Sequence, residues 1–97
     1  MIRNAFLKRV EAILETLDEE IGGIAAKAEK AGTDARIRYD GEIAVLRMKR
    51  EAVGAKIRQV REAGGASWGA LKNGVQEALD DLKKAIENAI DRLRKSA

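Results

Sequence analysis

No proline interrupts these 97 residues, and apolar side chains recur along them in steps of three and four. Ile2, Phe6, Val10, Ile13, Leu17, Ile21, Ile24 and Ala28 keep that spacing, and no stretch alternates as a strand would. Without proline, nothing obliges a helix to stop. The fold class expected is therefore all-α. Composition agrees: 36% of residues are charged, and Phe6, Tyr39 and Trp68 are the only aromatics. That balance belongs to long helices and coiled coils. The length allows a single domain, 1–97.

A second regularity has a period of eleven. Ile2, Ile13, Ile24, Ala35, Leu46, Ile57, Trp68, Leu79 and Ile90 fall in one phase, and all are apolar. Eleven residues make three turns of about 3.67 residues, so such a stripe runs nearly straight and favours straight or slightly right-handed packing. In period it resembles the amphipathic helices of exchangeable apolipoproteins and synucleins, which lie on lipid surfaces. A packed bundle gives the same period. The core and interface residues expected from both patterns are Ile13, Leu17, Ile21, Ile24, Leu46, Ile57, Trp68, Leu79 and Ile90.

Three places interrupt the pattern. Gly22-Gly23 lies inside a strong stripe, at a cost of about 2 kcal/mol against two alanines. At Ala31-Gly32-Thr33-Asp34, Gly32 is a candidate C-cap and Thr33 a candidate N-cap, which would divide the region into two helices. Gly64-Gly65-Ala66-Ser67 is the strongest break, with Gly64 and Gly65 as hinge and Ser67 as N-cap. Beyond it the stripe resumes at Trp68, Leu71, Val75, Leu79, Leu82, Ile86, Ile90 and Leu93, which makes Trp68 the first core residue of a returning helix.

Charge is unevenly placed. Residues 1–20 carry three basic and five acidic side chains, whereas residues 36–62 carry eight and four. Folding the two stretches antiparallel about Gly32 sets Glu11, Glu15, Asp18, Glu19 and Glu20 alongside Arg47, Lys49 and Arg50. Two structures satisfy this pairing. One is a monomeric three-helix bundle that turns at Gly32. The other is a helix over about 2–63, roughly 93 Å long, with a joint at 64–67 and a shorter helix over about 67–95 folded back, two such hairpins crossing as an antiparallel homodimer. The short Gly-Thr-Asp connection, and an apolar phase that passes through it unbroken, favour the long helix and the dimer.

The second half resembles a family of small bacterial coiled-coil proteins labelled as stress-response proteins. The likeness is carried by Ala35-Arg36, Tyr39, Ile43-x-x-Leu46-Arg47-x-Lys49-Arg50, Ala55-Lys56-Ile57 and Val60-Arg61-Glu62-Ala63. It continues through Gly65-Ala66-Ser67-Trp68, Leu71-Lys72-x-Gly74-Val75-x-x-Ala78, Leu82-Lys83 and Ala85. Members carry acidic residues beside the tryptophan and a second aromatic near position 79, where this chain has Gly69, Ala70 and Leu79. The resemblance implies a long helix followed by a shorter one and brings no catalytic residue with it.

The absence of cysteine and histidine removes disulfides, thiolate and imidazole chemistry, and ordinary zinc or haem sites. Asp18-Glu19-Glu20 and Asp80-Asp81 read as solvated helix faces, and Gly64-Gly65 lacks the setting of a phosphate loop. No catalytic, metal or cofactor site is expected, and no enzyme. No apolar run reaches the length of a signal peptide or a membrane span, so the expected location is the cytoplasm, with attachment to a membrane surface as the alternative. The leading functional expectation is a self-associating structural or interaction protein linked to stress response. Reversible binding to lipid through Arg36, Arg38, Arg47, Lys49, Arg50, Lys56, Arg58 and Arg61 is the alternative. Nucleic acid is a weaker expectation, because Asp40, Glu42, Glu51 and Glu62 interrupt the same stretch.

Overall fold

The computed structural model describes residues 2–64 and 67–96. They form three helices, α1 (Ile2–Lys30), α2 (Thr33–Glu62) and α3 (Ser67–Ser96), running up, down and up. A helix of this length spans about 45 Å, and the molecule measures 51 × 18 × 16 Å, so the bundle is one helix long.

Each helix lies where its aliphatic seam can be covered. In α1 the buried residues are Phe6, Leu7, Val10, Leu14, Leu17, Ile21, Ile24 and Ala28. From Leu7 onward the steps alternate four and three, which is a heptad seam. Val75, Leu79, Leu82, Ile86, Ala89 and Leu93 repeat the spacing in α3. In α2, Ile43, Leu46, Val53, Ile57 and Val60 keep it, with half-buried Arg50 standing at the heptad position between Leu46 and Val53. No polar or charged side chain is buried among the described residues.

The eleven-residue phase therefore does not describe the core. Ile24, Leu46, Ile57 and Leu79 are buried, but Ala35, Trp68 and Ile90 are half-buried, Ile13 is 39% exposed and Ile2 is 74% exposed. Leu17 and Ile21, which lie off that phase, are buried. A phase has structural meaning only within one continuous helix, and each turn of the chain resets the rotation of the next. Heptad seams also favour left-handed winding rather than the straight or right-handed packing expected from elevens.

The continuous helix over 2–63 is corrected as well. The chain leaves the helix at Ala31 and Gly32, whose φ of −69° and ψ of 168° are extended. Ala31 N–H closes the last turn of α1 on the Ala28 carbonyl at 3.2 Å, and the Gly32 carbonyl accepts from Arg36 N–H at 2.8 Å to open α2. Gly32, not Thr33, is the N-cap, and no side chain caps it. Straightening this segment would strip the seam of α1 of its partners within the chain, whereas two non-helical residues are enough for antiparallel neighbours in a bundle. With a negative φ and nothing within 4 Å of a Cβ placed there, the turn makes no use of glycine's left-handed freedom.

At the opposite end, Ala63 N–H donates to the carbonyls of Gln59 and Val60, and the Ala63 carbonyl accepts from the Arg3 guanidinium. Gly64, exposed, accepts at its carbonyl from Ser67 N–H at 3.0 Å. α3 begins at Ser67 itself; Gly65 of the expected hinge, and Ala66, lie outside the described residues. Trp68 packs on Phe6 with ring centroids 5.8 Å apart and planes tilted by 41°, closing this end. The Lys72 ammonium stands 5.7 Å from the Phe6 ring and 6.0 Å from Trp68, within cation–π reach.

Gly22 and Gly23 face solvent in the C-terminal third of α1, with nothing within 4 Å of an added Cβ. Gly22→Ala and Gly23→Ala should each stabilise the protein by about 1 kcal/mol through helix propensity alone. Urea denaturation of the two variants measures this.

Candidate functional site

α2 is apolar on two sides. Leu46, Val53 and Val60 turn inward, while Ile37, Val45 and Met48 stand 67%, 49% and 73% exposed. At 3.6 residues per turn these three share the opposite side of the helix with Gly41, Ala44 and Ala52, all of them exposed. Of the five large hydrophobic residues exposed among the described residues, three lie on this stripe. A helix apolar on both sides ordinarily has something packed on both.

Along one edge of the stripe run Arg36, Asp40, Arg47, Glu51, Arg58 and Glu62, strictly alternating in sign and all exposed. Here the period of eleven does hold. It links Arg36, Arg47 and Arg58, then Asp40, Glu51 and Glu62, and then Ile37 with Met48. Three turns per repeat keep stripe and edge parallel to the helix axis. None of the six closes an ion pair among the described residues, although Glu51 adds a longer-range attraction to Arg50. Ile37, Val45 and Met48 are not among the residues the sequence pattern singles out, because that pattern follows a single apolar stripe and α2 carries two.

The remaining charges on α2 hold the bundle together. Arg50 Nε and Nη2 donate to the two carboxylate oxygens of Asp18 at 3.0 and 3.2 Å, and Arg61 donates to Glu11. Lys49 reaches Asp81 of α3 at 2.7 Å, and Arg92 forks onto Glu42 at 3.2 and 2.7 Å. Of the pairing expected from a fold about Gly32, Asp18 meets Arg50, while Glu11 reaches α2 at Arg61 rather than at Arg47, Lys49 or Arg50, and Lys49 serves the other neighbour. The register of Arg50–Asp18 and Arg61–Glu11 is displaced by several residues from that fold. Side chains lean toward the N-terminus of their own helix, so each antiparallel partner covers a patch about a turn before its Cα.

The hydrogen bond to Asp18 raises the Arg50 pKa above its ordinary value against a smaller opposing effect of burial, and that to Glu42 raises Arg92. A raised value keeps each guanidinium charged up to and beyond the ordinary arginine range, so no rise in pH short of that range discharges it, and salt screens both pairs. Asp80 pairs with Lys84 at 3.2 Å, so the Asp80-Asp81 cluster is taken up by lysines. No three acidic side chains converge as metal ligands do among the described residues.

A cleft of about 280 Å³ opens beside the α1–α2 turn. Ala31, Ala35, Tyr39 and Leu93 line it together with Lys27, Lys30 and Arg38, and Arg94 joins Lys27 around an adjoining cleft of about 260 Å³. These four cations form no ion pair among the described residues. Thus two surfaces offer binding: an apolar helix face and a cationic, apolar-lined cleft. Comparison with family models, curated proteins and solved structures finds no match. No helix among the described residues is long and apolar enough to cross a membrane.

Gly54 makes room for the Arg50–Asp18 pair, since a Cβ there would stand 3.1 Å from Arg50 Nη1. Gly54→Ala should therefore stabilise the protein by less than the roughly 1 kcal/mol of an unencumbered helical site. In an Arg50→Ala background the full gain should return. A denaturation double-mutant cycle reads the difference.

Proposed function

We propose that this chain is a non-enzymatic structural module that works by self-association, and that the outer face of α2 is the surface it uses. The stripe of Ile37, Val45 and Met48 carries this reading: it lies on one element, opposite the seam that already fills the core. Gly41, Ala44 and Ala52 between them let a second helix come close. The bundle closes within one chain, so association through this face leaves α1 in place. The expected hairpin dimer, by contrast, exchanges α1 between chains. The resemblance to coiled-coil stress-response proteins fits a role in assembly and suggests stress as its setting.

One helix pair makes an interface at the lower end of the usual ~1,200–2,000 Å² for stable complexes, so a dissociation constant on the order of micromolar is expected. Sedimentation should show a monomer–dimer equilibrium, and Met48→Lys should shift it to monomer with helicity unchanged. A single-chain mass at about 0.5 mM, several hundredfold above that expected constant, would exclude the proposal.

A second reading has its own observation in the cluster of Lys27, Lys30, Arg38 and Arg94 around Tyr39 and Leu93. Unpaired cations around an apolar cleft suit an anionic amphiphile, in which charge and tail are engaged together. Lys27→Glu with Lys30→Glu should then abolish co-sedimentation with anionic vesicles, and neutral vesicles should not bind. Equal sedimentation of the wild-type and doubly substituted proteins would rule the reading out.

A further inference from the structure

We infer that the second copy packs antiparallel, α2 against α2, across a two-fold axis at Met48 and Lys49; this rests on the self-association proposed above. A two-fold interface sets each surface against itself, so the face must be complementary to its own reverse. In an antiparallel helix pair, the same edge of each helix meets its own copy. Reversed about residue 49, the alternating edge brings Arg36 opposite Glu62 of the second copy, Asp40 opposite Arg58 and Arg47 opposite Glu51. All six charges then find opposites at once.

Within the stripe, which lies on a different side of the helix from the edge, the reversal is centred about one residue earlier, at Met48, and lays Met48 against Met48 at the axis, Val45 against Ala52 and Gly41 against Ala55. Val45 meets the smaller Ala52, and the small Gly41 and Ala55 face each other, so the backbones can approach on either side of the central methionines. A parallel pair sets the alternating edge against the other one, where Arg38, Lys49 and Lys56 stand. Arg36, Arg47 and Arg58 would then face cations, whereas the antiparallel arrangement matches all six charges of the alternating edge and confines like-charge contact to the basic edge, which meets its own copy.

The six charges also satisfy a four-residue spacing within one helix, as Arg36–Asp40, Arg47–Glu51 and Arg58–Glu62. With the base first, that is the weaker order for a helical pair, and none of the three is closed among the described residues. Across the axis the same side chains gain partners in an interface from which the neighbouring stripe excludes water.

The chain has no cysteine, so a single introduced one reports on symmetry directly. Met48→Cys, at a side chain 73% exposed, should form a disulfide-linked dimer on mild oxidation. Ile37→Cys should not link to itself, because the two copies of residue 37 lie about 35 Å apart at 1.5 Å per residue. Charge reversal supplies a second arm. Arg47→Glu and Glu51→Arg should each raise the dissociation constant about tenfold alone, a shift of ~1.4 kcal/mol, and an equal mixture of the two should restore wild-type affinity. A pairing confined to each helix predicts no restoration on mixing. A dimer in solution in which Ile37→Cys links and Met48→Cys does not would overturn this arrangement and leave self-association standing. A chain that stays single in solution would overturn the self-association itself.

Discussion

Each helix carries an aliphatic seam too wide to leave in water, and the long-range features of the molecule follow from where the three seams meet. Leu46, Val53, Val60, Val75, Leu82 and Ile86 are all almost fully buried, and a Leu or Ile so placed contributes roughly 1.5–3 kcal/mol. No polar group is enclosed with them among the described residues, so the interior has no desolvation cost to offset. The same demand places the turn. Ala31 and Gly32 leave the helix because that is the only way α1 can cover its seam with residues of its own chain.

The ion pairs sit at the margins of this core and fix its register more than its stability. Arg50–Asp18 and Lys49–Asp81 are partly solvated, a setting in which a pair is worth at most about 1 kcal/mol. Their value lies in direction: Arg50 binds α2 to α1, and the adjacent Lys49 binds it to α3. α2 is thus held from both sides, and its remaining face, with Met48 at the middle, is the one turned away from the bundle. Structure and proposed function meet on that helix.

Much of this was readable from the residues alone. The spacing of apolar residues and the lack of proline gave three helical segments their character, and the breaks near 32 and 64 stood out by their glycines. The choice between turning and continuing at Gly32 was not readable, because the backbone there is ordinary and only tertiary burial decides it. Ile13 was misassigned for a related reason. It neighbours Leu14, which belongs to the heptad seam, and one residue of rotation moves a side chain from the interior to its edge. The face of Ile37, Val45 and Met48 had a signal in the repeated Arg–Asp/Glu order at eleven residues. That period was attributed to the core, whereas on α2 it belongs to the surface.

The closed single-chain bundle is tested most directly by a distance between two labels on one chain. Lys8 on α1 and Glu62 on α2 are both exposed, so spin labels at these positions leave the core alone. Measured by pulsed electron resonance in excess unlabelled protein, only the intrachain distance survives. Neighbouring helices lie 8–10 Å apart, and with label arms a distance of about 20–25 Å is predicted. A distance near 80 Å, the length of a helix running unbroken from one site to the other, would contradict the bundle.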